Sequence, residues 1–383
     1  MDKNNGAIYD ARKLGKPKMI ILGVQHMFAM FGATILVPIL TGLDISTTLL
    51  MAGLGTLLFH CITKFKVPAF LGSSFAFLGG YAAIKAFSPN DPNSMLPYAC
   101  LGVACAGLIY FILAAVIKAV GIEKVMRFFP PVVTGPIIIA IGLGLAPSAV
   151  SNCTTNWFLA VVALAVIVVF NIWGKGMAKI IPIILGLLIS YGTGLVLYFI
   201  SQANPDLIQN VPWLFAGGAD ANGVYQPIFD FTSLNTICDN ISKGHIFGSE
   251  GLIGIPIHWD KTVFGGIDYS NGALIASSII AIVPIAFATM MEHIGDICAI
   301  SSTTGNNYIK DPGLHRTLVG DGLATTLASL FGGPANTTYG ENTGVLALTR
   351  VYDPRVIRIA AYFAVAVSFF PIVSVIIGSI PSC

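Results

Sequence analysis

Residues 332–350 read GGPANTTYGENTGVLALTR, and this stretch decides the fold. Its right half is apolar enough for a short membrane span. Yet Glu341 stands at the start of it, and Pro334, Gly340 and Gly344 break up the approach. Proline removes a backbone donor and glycine weakens a helix. The pattern predicts a helix that begins late, near the middle of a bilayer. Irregular backbone at that depth is tolerated only where it is buried in protein or lines a polar cavity. A helix that starts there aims unbonded N–H groups and the positive end of its dipole into the cavity.

The rest of the chain fits a bilayer. Its 383 residues are 55% hydrophobic and 10% charged, against about a quarter charged in a soluble domain. Too few charges remain to build a water-exposed surface, so the expected class is an all-α polytopic membrane protein. A net charge of +2 leaves no basic patch for nucleic acid. The seven cysteines are scattered with no CxxC or other metal-like spacing, so no metal and no cofactor are expected. The first eighteen residues are polar and basic, without a signal-peptide cleavage pattern.

A spanning helix needs about 20 apolar residues. Spans are predicted near 19–40, 45–63, 68–84, 96–117, 128–147, 156–173, 180–200, 273–299, 317–333, 338–349 and 357–377. With the N-terminus in the cytoplasm, only Lys85, Lys243 and Lys261 of the 20 Lys and Arg residues fall outside. That bias sets the orientation in the cytoplasmic membrane. The stretch 201–272, rich in Gly, Asn and aromatics, reads as an ordered external insertion.

The third predicted span resembles the tenth. PAFLGSSF begins at Pro68 and PANTTYGEN at Pro334. If a second series starts at span eight, each is the third of its series. Seven intervening spans put the two series in opposite orientations, which is an inverted repeat. Short, Gly/Pro-interrupted segments at matching places mark a transporter's midplane site. The backbone amides of Phe75 and Gly340 lie near the two helix starts and could hold a ligand carbonyl.

Acids inside predicted spans are few and default to a functional reading. Span eight carries Glu292 and Asp296, four residues apart on one helix face. Span ten carries Glu341. His26 on span one is a candidate partner for a half-helix or for a substrate. His293 is expected to pack against neighbouring helices, Asp321 to be solvated near the inner end of span nine, and His60 has no evident partner. Carboxylates accept N–H bonds and backbone amides donate to C=O. A small planar molecule alternating N–H and C=O suits both, with Phe75, Phe77 and Tyr339 as neighbours for a flat ring. Simple anions would be repelled, and a metal cation would need more oxygen ligands.

At these residues the chain resembles the nucleobase–ascorbate transporter family, in particular its bacterial uracil permease branch. The resemblance runs through GVQHMFAMFGATILVP, VPAFLGSSFAF, EHIGD, KDPGLHR and NTTYGENTGVLALTR. Glu341 before Asn342 is similar to the uracil branch, where xanthine and urate members have Gln. The resemblance implies fourteen spans in two inverted sevens, no enzyme activity, proton-coupled uptake by alternating access, and commonly a homodimer. It implies a core from 1–121 (spans 1–4) and 273–377 (spans 8–11), and a gate from 122–200 (spans 5–7). It also implies pyrimidine contacts from Glu292, Glu341, Phe75, Gly340 and Tyr339. Asp296, Glu292 and His26 are implied in proton coupling.

Two departures from the family pattern are expected to matter. The insertion 201–272 is long, and 378–383 would be only the start of the second half of the gate. The chain thus reads as truncated after span eleven or early in span twelve. The rival readings are a xanthine, urate or guanine permease, a fragment that binds without transporting, and a sulfate-type anion transporter. The two acids argue against the last.

Overall fold

A computed structural model describes residues 7–121, 149–175, 182–220, 223–248 and 251–379, with scattered positions in 123–147 and at 178. The side chains of Ile183, Ile184 and Glu341 lie outside that description. So do most of the predicted fifth span, 128–147, and residues 380–383. The chain divides into two compact units, 1–139 with 255–370, and 140–254 with 371–383.

The first unit opens with α1 (Lys16–Thr41), which Pro17 starts and Gly42 stops. Gly42 takes a left-handed φ of 84° and its N–H donates to Pro38 O at 2.8 Å, the usual glycine stop. Asp44 caps α2 (Ile45–Ile62), accepting from Thr47 N at 2.7 Å. The chain then extends into β1 (Leu71–Ser73), turns through the 3-10 segment Phe75–Phe77, and forms the short α3 (Leu78–Lys85). The long α4 (Leu96–Val120) follows. After 255 come α5 (Gly272–Ile282) and α6 (Ile285–Thr304), then α7 (Leu314–Leu330), β2 (Asn336–Thr338), α8 (Gly340–Thr349) and α9 (Pro354–Ser368).

Lipid tails are as apolar as leucine, so membrane helices associate by close packing of small residues. Here α4 meets α7 at two glycines. A Cβ on Gly107 would stand 2.7 Å from Gly322 O, and one on Gly322 would stand 2.5 Å from Gly107 O. Around that seam Phe59, Phe77, Tyr81, Tyr110, Ile294 and Leu318 form one fully buried cluster.

In the second unit, Asn156 caps the helix Trp157–Trp173, which packs on Pro182–Ala203. The Asn156 amide also donates to Ala216 O at 2.8 Å, the first residue of a hairpin formed by Ala216–Ala219 and Tyr225–Pro227. Phe229 and Phe231 stack at 5.3 Å, with Tyr191 and Tyr198 edge-on to Phe229. Aromatic pairs of this kind tie Phe229 of the insertion to the helix Pro182–Ala203.

Four expectations need correction. The fold is mostly helical but not all-α, because β1 pairs with β2. Predicted span eight is interrupted at Val283 and Pro284 and runs on to Thr304. Predicted span eleven ends at Ser368, and a separate helix from Pro371 to Gly378 groups with the second unit; proline cannot continue the α9 hydrogen bonding. The insertion 201–272 is not one body. It divides after 254, since Pro256 O accepts from Thr47 and Ile257 packs beside Leu50 and Met51. Among the described residues, five helices are long and apolar enough to cross a membrane. The half-helices α3 and α8 are short because each shares its span with a strand.

Candidate functional site

The site is built on the strand crossing. β1 and β2 run antiparallel, with Leu71 opposite Thr338, Gly72 opposite Thr337 and Ser73 opposite Asn336. Two more bonds extend the pairing, Ser74 N to Ala335 O and Tyr339 N to Phe70 O, both 3.0 Å. Antiparallel pairing sends the two following helices away from the crossing in opposite directions. Both therefore begin at it. Neither has a side-chain cap on its N-terminus, so first-turn amides at Phe75 and Gly340 are available to a ligand.

Extended backbone buried in a membrane must find partners for its outward groups. On the first strand these are supplied by α1 and α2. Thr56 Oγ1 receives Leu71 N at 2.9 Å, His60 Nε2 contacts Ala69 O at 2.9 Å, and Ser73 Oγ donates to Thr34 O at 2.9 Å. His60, without an evident partner in the sequence, therefore has one. On the second strand Asn336 donates to Met51 O at 2.8 Å, while its own carbonyl accepts from Thr325 at 3.0 Å.

Tyr339 belongs to this support. Its ring is 5% exposed and lies on Gly72, where a Cβ would come within 2.5 Å of a ring carbon. Its hydroxyl donates to Ser73 O at 2.8 Å. The ring is thus held against the strand crossing. Gly72 is required there for close approach rather than for its dihedral freedom.

The acids gather on the α6 and α8 side. Asp296 Oδ2 accepts from Thr338 Oγ1 at 3.1 Å, and Oδ1 lies 3.2 Å from where a Cβ on Gly340 would sit. Gly340 is exposed, and Glu292 is half-buried one turn before Asp296. A Cβ on Gly295, between the two acids, would meet nothing within 4 Å, and the same is true of Gly344 one turn along α8. Gly295 and Gly344 thus border open space close in sequence to Glu292, Asp296 and Gly340, and Phe75 is half-buried at the start of the other half-helix. Glu341 is the second residue of α8. His26, fully buried on α1, places Nδ1 3.4 Å from Asn342 Oδ1 on α8.

Asp321 is not solvated. It is 0% exposed, with Oδ1 accepting from Thr338 N at 2.9 Å and Oδ2 lying 3.4 Å from His293 Nδ1. His293 Nδ1 also lies 3.1 Å from Thr338 Oγ1. The sequence signal for Asp321 was its setting in VGDGL: glycines on both sides mark tight packing, and α7 begins at Leu314, two turns before the acid. Among the described residues no three His, Cys, Asp or Glu side chains converge as a metal site would require.

The sequence profile of the Permease family matches residues 17–383. The chain belongs to that family. It is similar to the uracil permease of Bacillus caldolyticus, with 37% identity over 374 residues, covering 95% of this chain and 74% of the relative. The uracil permease of Bacillus subtilis is likewise 37% identical over 376 residues, with the same coverage of 95% and 74%. Among solved structures, the transmembrane domain of a cyanobacterial bicarbonate transporter, BicA, superposes with a TM-score of 0.58 at 14% identity, covering 97% of this chain and 88% of that one. SLC26A9 gives 0.50 at 11% identity, covering 98% and 57%. At such identities these two share the fold alone. The protein is an integral membrane transporter and not an enzyme.

Proposed function

We propose that this permease imports uracil, or a closely related nucleobase, across the cytoplasmic membrane in symport with protons, by alternating access and commonly as a homodimer. One observation carries the reading: two uncapped helix starts at one strand crossing, with Asp296 of α6 beside Gly340 and Glu292 one turn away on the same helix. The relatives named above as uracil permeases support the choice of base. Uracil alternates N–H and C=O around its ring. Glu292 and Glu341 accept the ring N–H groups, and the amides of Phe75 and Gly340 donate to its carbonyls. Asp296, beside Gly340, and Glu292 take the coupled proton, while His26 steadies the half-helix through Asn342. Carboxylates on the open face disfavour an anion as cargo.

Labelled uracil uptake into right-side-out or reconstituted vesicles tests this. A protonophore should abolish accumulation. Glu341→Gln should weaken apparent affinity about 10- to 100-fold, the worth of one charge-assisted hydrogen bond. Uptake that ignores both, or that xanthine competes for as well as uracil, rules the reading out.

A further inference from the structure

Thr338 has one hydroxyl proton and two neighbours that want it. Asp296 Oδ2 lies 3.1 Å away and His293 Nδ1 also 3.1 Å. When Asp296 is ionised it can only accept, so the Thr338 O–H points to it. The imidazole must then be the donor to Thr338 Oγ1, with its proton on Nδ1. That Nδ1 is 3.4 Å from Oδ2 of the fully buried Asp321. When Asp296 is protonated on Oδ2 the direction reverses. Asp296 donates, and the Thr338 O–H is released toward Nδ1, which can accept only if its own proton has moved to Asp321 Oδ2.

We propose that Thr338 is a positioning residue that couples the charge of Asp296 to the His293–Asp321 pair, reversing its hydroxyl each time Asp296 loads or unloads a proton. The inference rests on the reading of Asp296 as a proton-coupling acid. The protons balance. One arrives at Asp296 and one passes from His293 Nδ1 to Asp321 Oδ2; the step starts from an imidazolium protonated on both nitrogens, so a charged pair becomes a neutral one. Asp321 Oδ1 holds Thr338 N throughout at 2.9 Å. The β2–α8 junction therefore feels each state of Asp296 through two atoms of one residue. The other titratable groups here are Glu292 on α6 and Tyr110 on α4, which interacts with both Asp321 and Glu292. Glu341 follows in α8, and on α2 the Phe59 ring lies edge-on to His293 at 6.4 Å.

Two experiments test the coupling apart from the transport reading. The first follows uracil uptake against pH. Thr338→Val keeps the side chain's shape and removes the hydroxyl, so the profile should move to higher pH by about one unit, the worth of one hydrogen bond to the charged acid. Thr338→Ser should restore the wild-type profile. A wild-type profile in Thr338→Val, or an equal shift in both variants, overturns the proposal; wild type that takes up no uracil defeats the transport reading instead. The second needs no uptake. In protein labelled with ¹⁵N-histidine, His293 is identified by the signal lost in His293→Gln. Asp296→Asn, whose amide donates as the protonated acid would, should remove the proton from Nδ1. Adding Thr338→Val should abolish that response. A His293 signal indifferent to Asp296→Asn overturns the proposal whatever the cargo.

Discussion

The two broken spans of this permease are built alike and furnished differently. Each is a three-residue strand followed by an uncapped helix, and they hold each other by one short ladder. The first is supported by hydroxyls and one imidazole, from Thr56, Ser73 and His60. The second is supported on one side by carboxylates, Asp321 on Thr338 N and Asp296 on Thr338 Oγ1. A hydroxyl gives the same bond at every physiological pH, whereas a carboxylate changes character when it takes a proton. The first half therefore behaves as a fixed frame and the second as the half whose bonds depend on protonation.

Breaking the supports should expose that difference, with the largest effect at Asp321. Asp321→Ala leaves Thr338 N and His293 without their buried partner, and loss of one member of such a pair costs about 3–5 kcal/mol. Thr56→Val, the matching change on the first half, removes neutral bonds worth about 1 kcal/mol. Thermal unfolding of the detergent-solubilised variants checks the order. Equal losses would mean the two halves are not furnished differently in energetic terms.

The two glycines at the crossing sharpen the contrast at smaller cost. Gly72→Ala drives a methyl group to 2.5 Å from the Tyr339 ring, an overpacking of about 1–3 kcal/mol. Gly340→Ala meets only Asp296 Oδ1, at 3.2 Å, and should leave the melting temperature nearly unchanged while uracil uptake falls. A stable, fully active Gly72→Ala would show that the frame is softer than its packing implies.

How far these features could be read in the sequence follows from their period. Pro334 and Gly340 announce a late helix start because breakers act locally. Glu292 and Asp296 share a face by simple helix arithmetic. The β1–β2 pairing was not legible, since three-residue strands carry no alternation to count. A span that starts at 317 puts Asp321 near its solvated inner end, whereas α7 starts at Leu314. One turn of error moved a fully buried acid to water. The position of Tyr339 in its motif marks it as a neighbour for a flat ring, but the support it gives the strand crossing through Gly72 is not legible there, because that contact joins residues far apart in the chain.

The far ends of the half-helices extend the comparison and give the smallest effect. At the end of α3, Lys85 Nζ reaches across to Thr41 O at 2.9 Å. The end of α8 is fixed by the N-terminal strap, with Ile8 N donating to Arg350 O and Tyr352 N to Ile8 O, both at 2.8 Å. Asp10 anchors the strap, receiving Arg12 at 2.9 Å through two guanidinium N–H groups and Arg355 at 2.9 Å. Hydrogen bonding from Arg12, with the positive charge of Arg355 added, holds the Asp10 carboxyl well below the usual carboxylate range. A carboxyl lowered on folding adds stability above its ordinary range and loses it as the pH falls. Exposed ion pairs are screened by water and salt, so the contribution is small. Asp10→Asn should lower the melting temperature slightly at neutral pH and low salt, and keep the cap on Arg12 N that asparagine also provides. The gap from wild type should close in high salt and as the pH drops below about 4. A gap that persists in both conditions would mean that the strap is held by shape rather than charge, and the α8 end would then be as fixed as the α3 end.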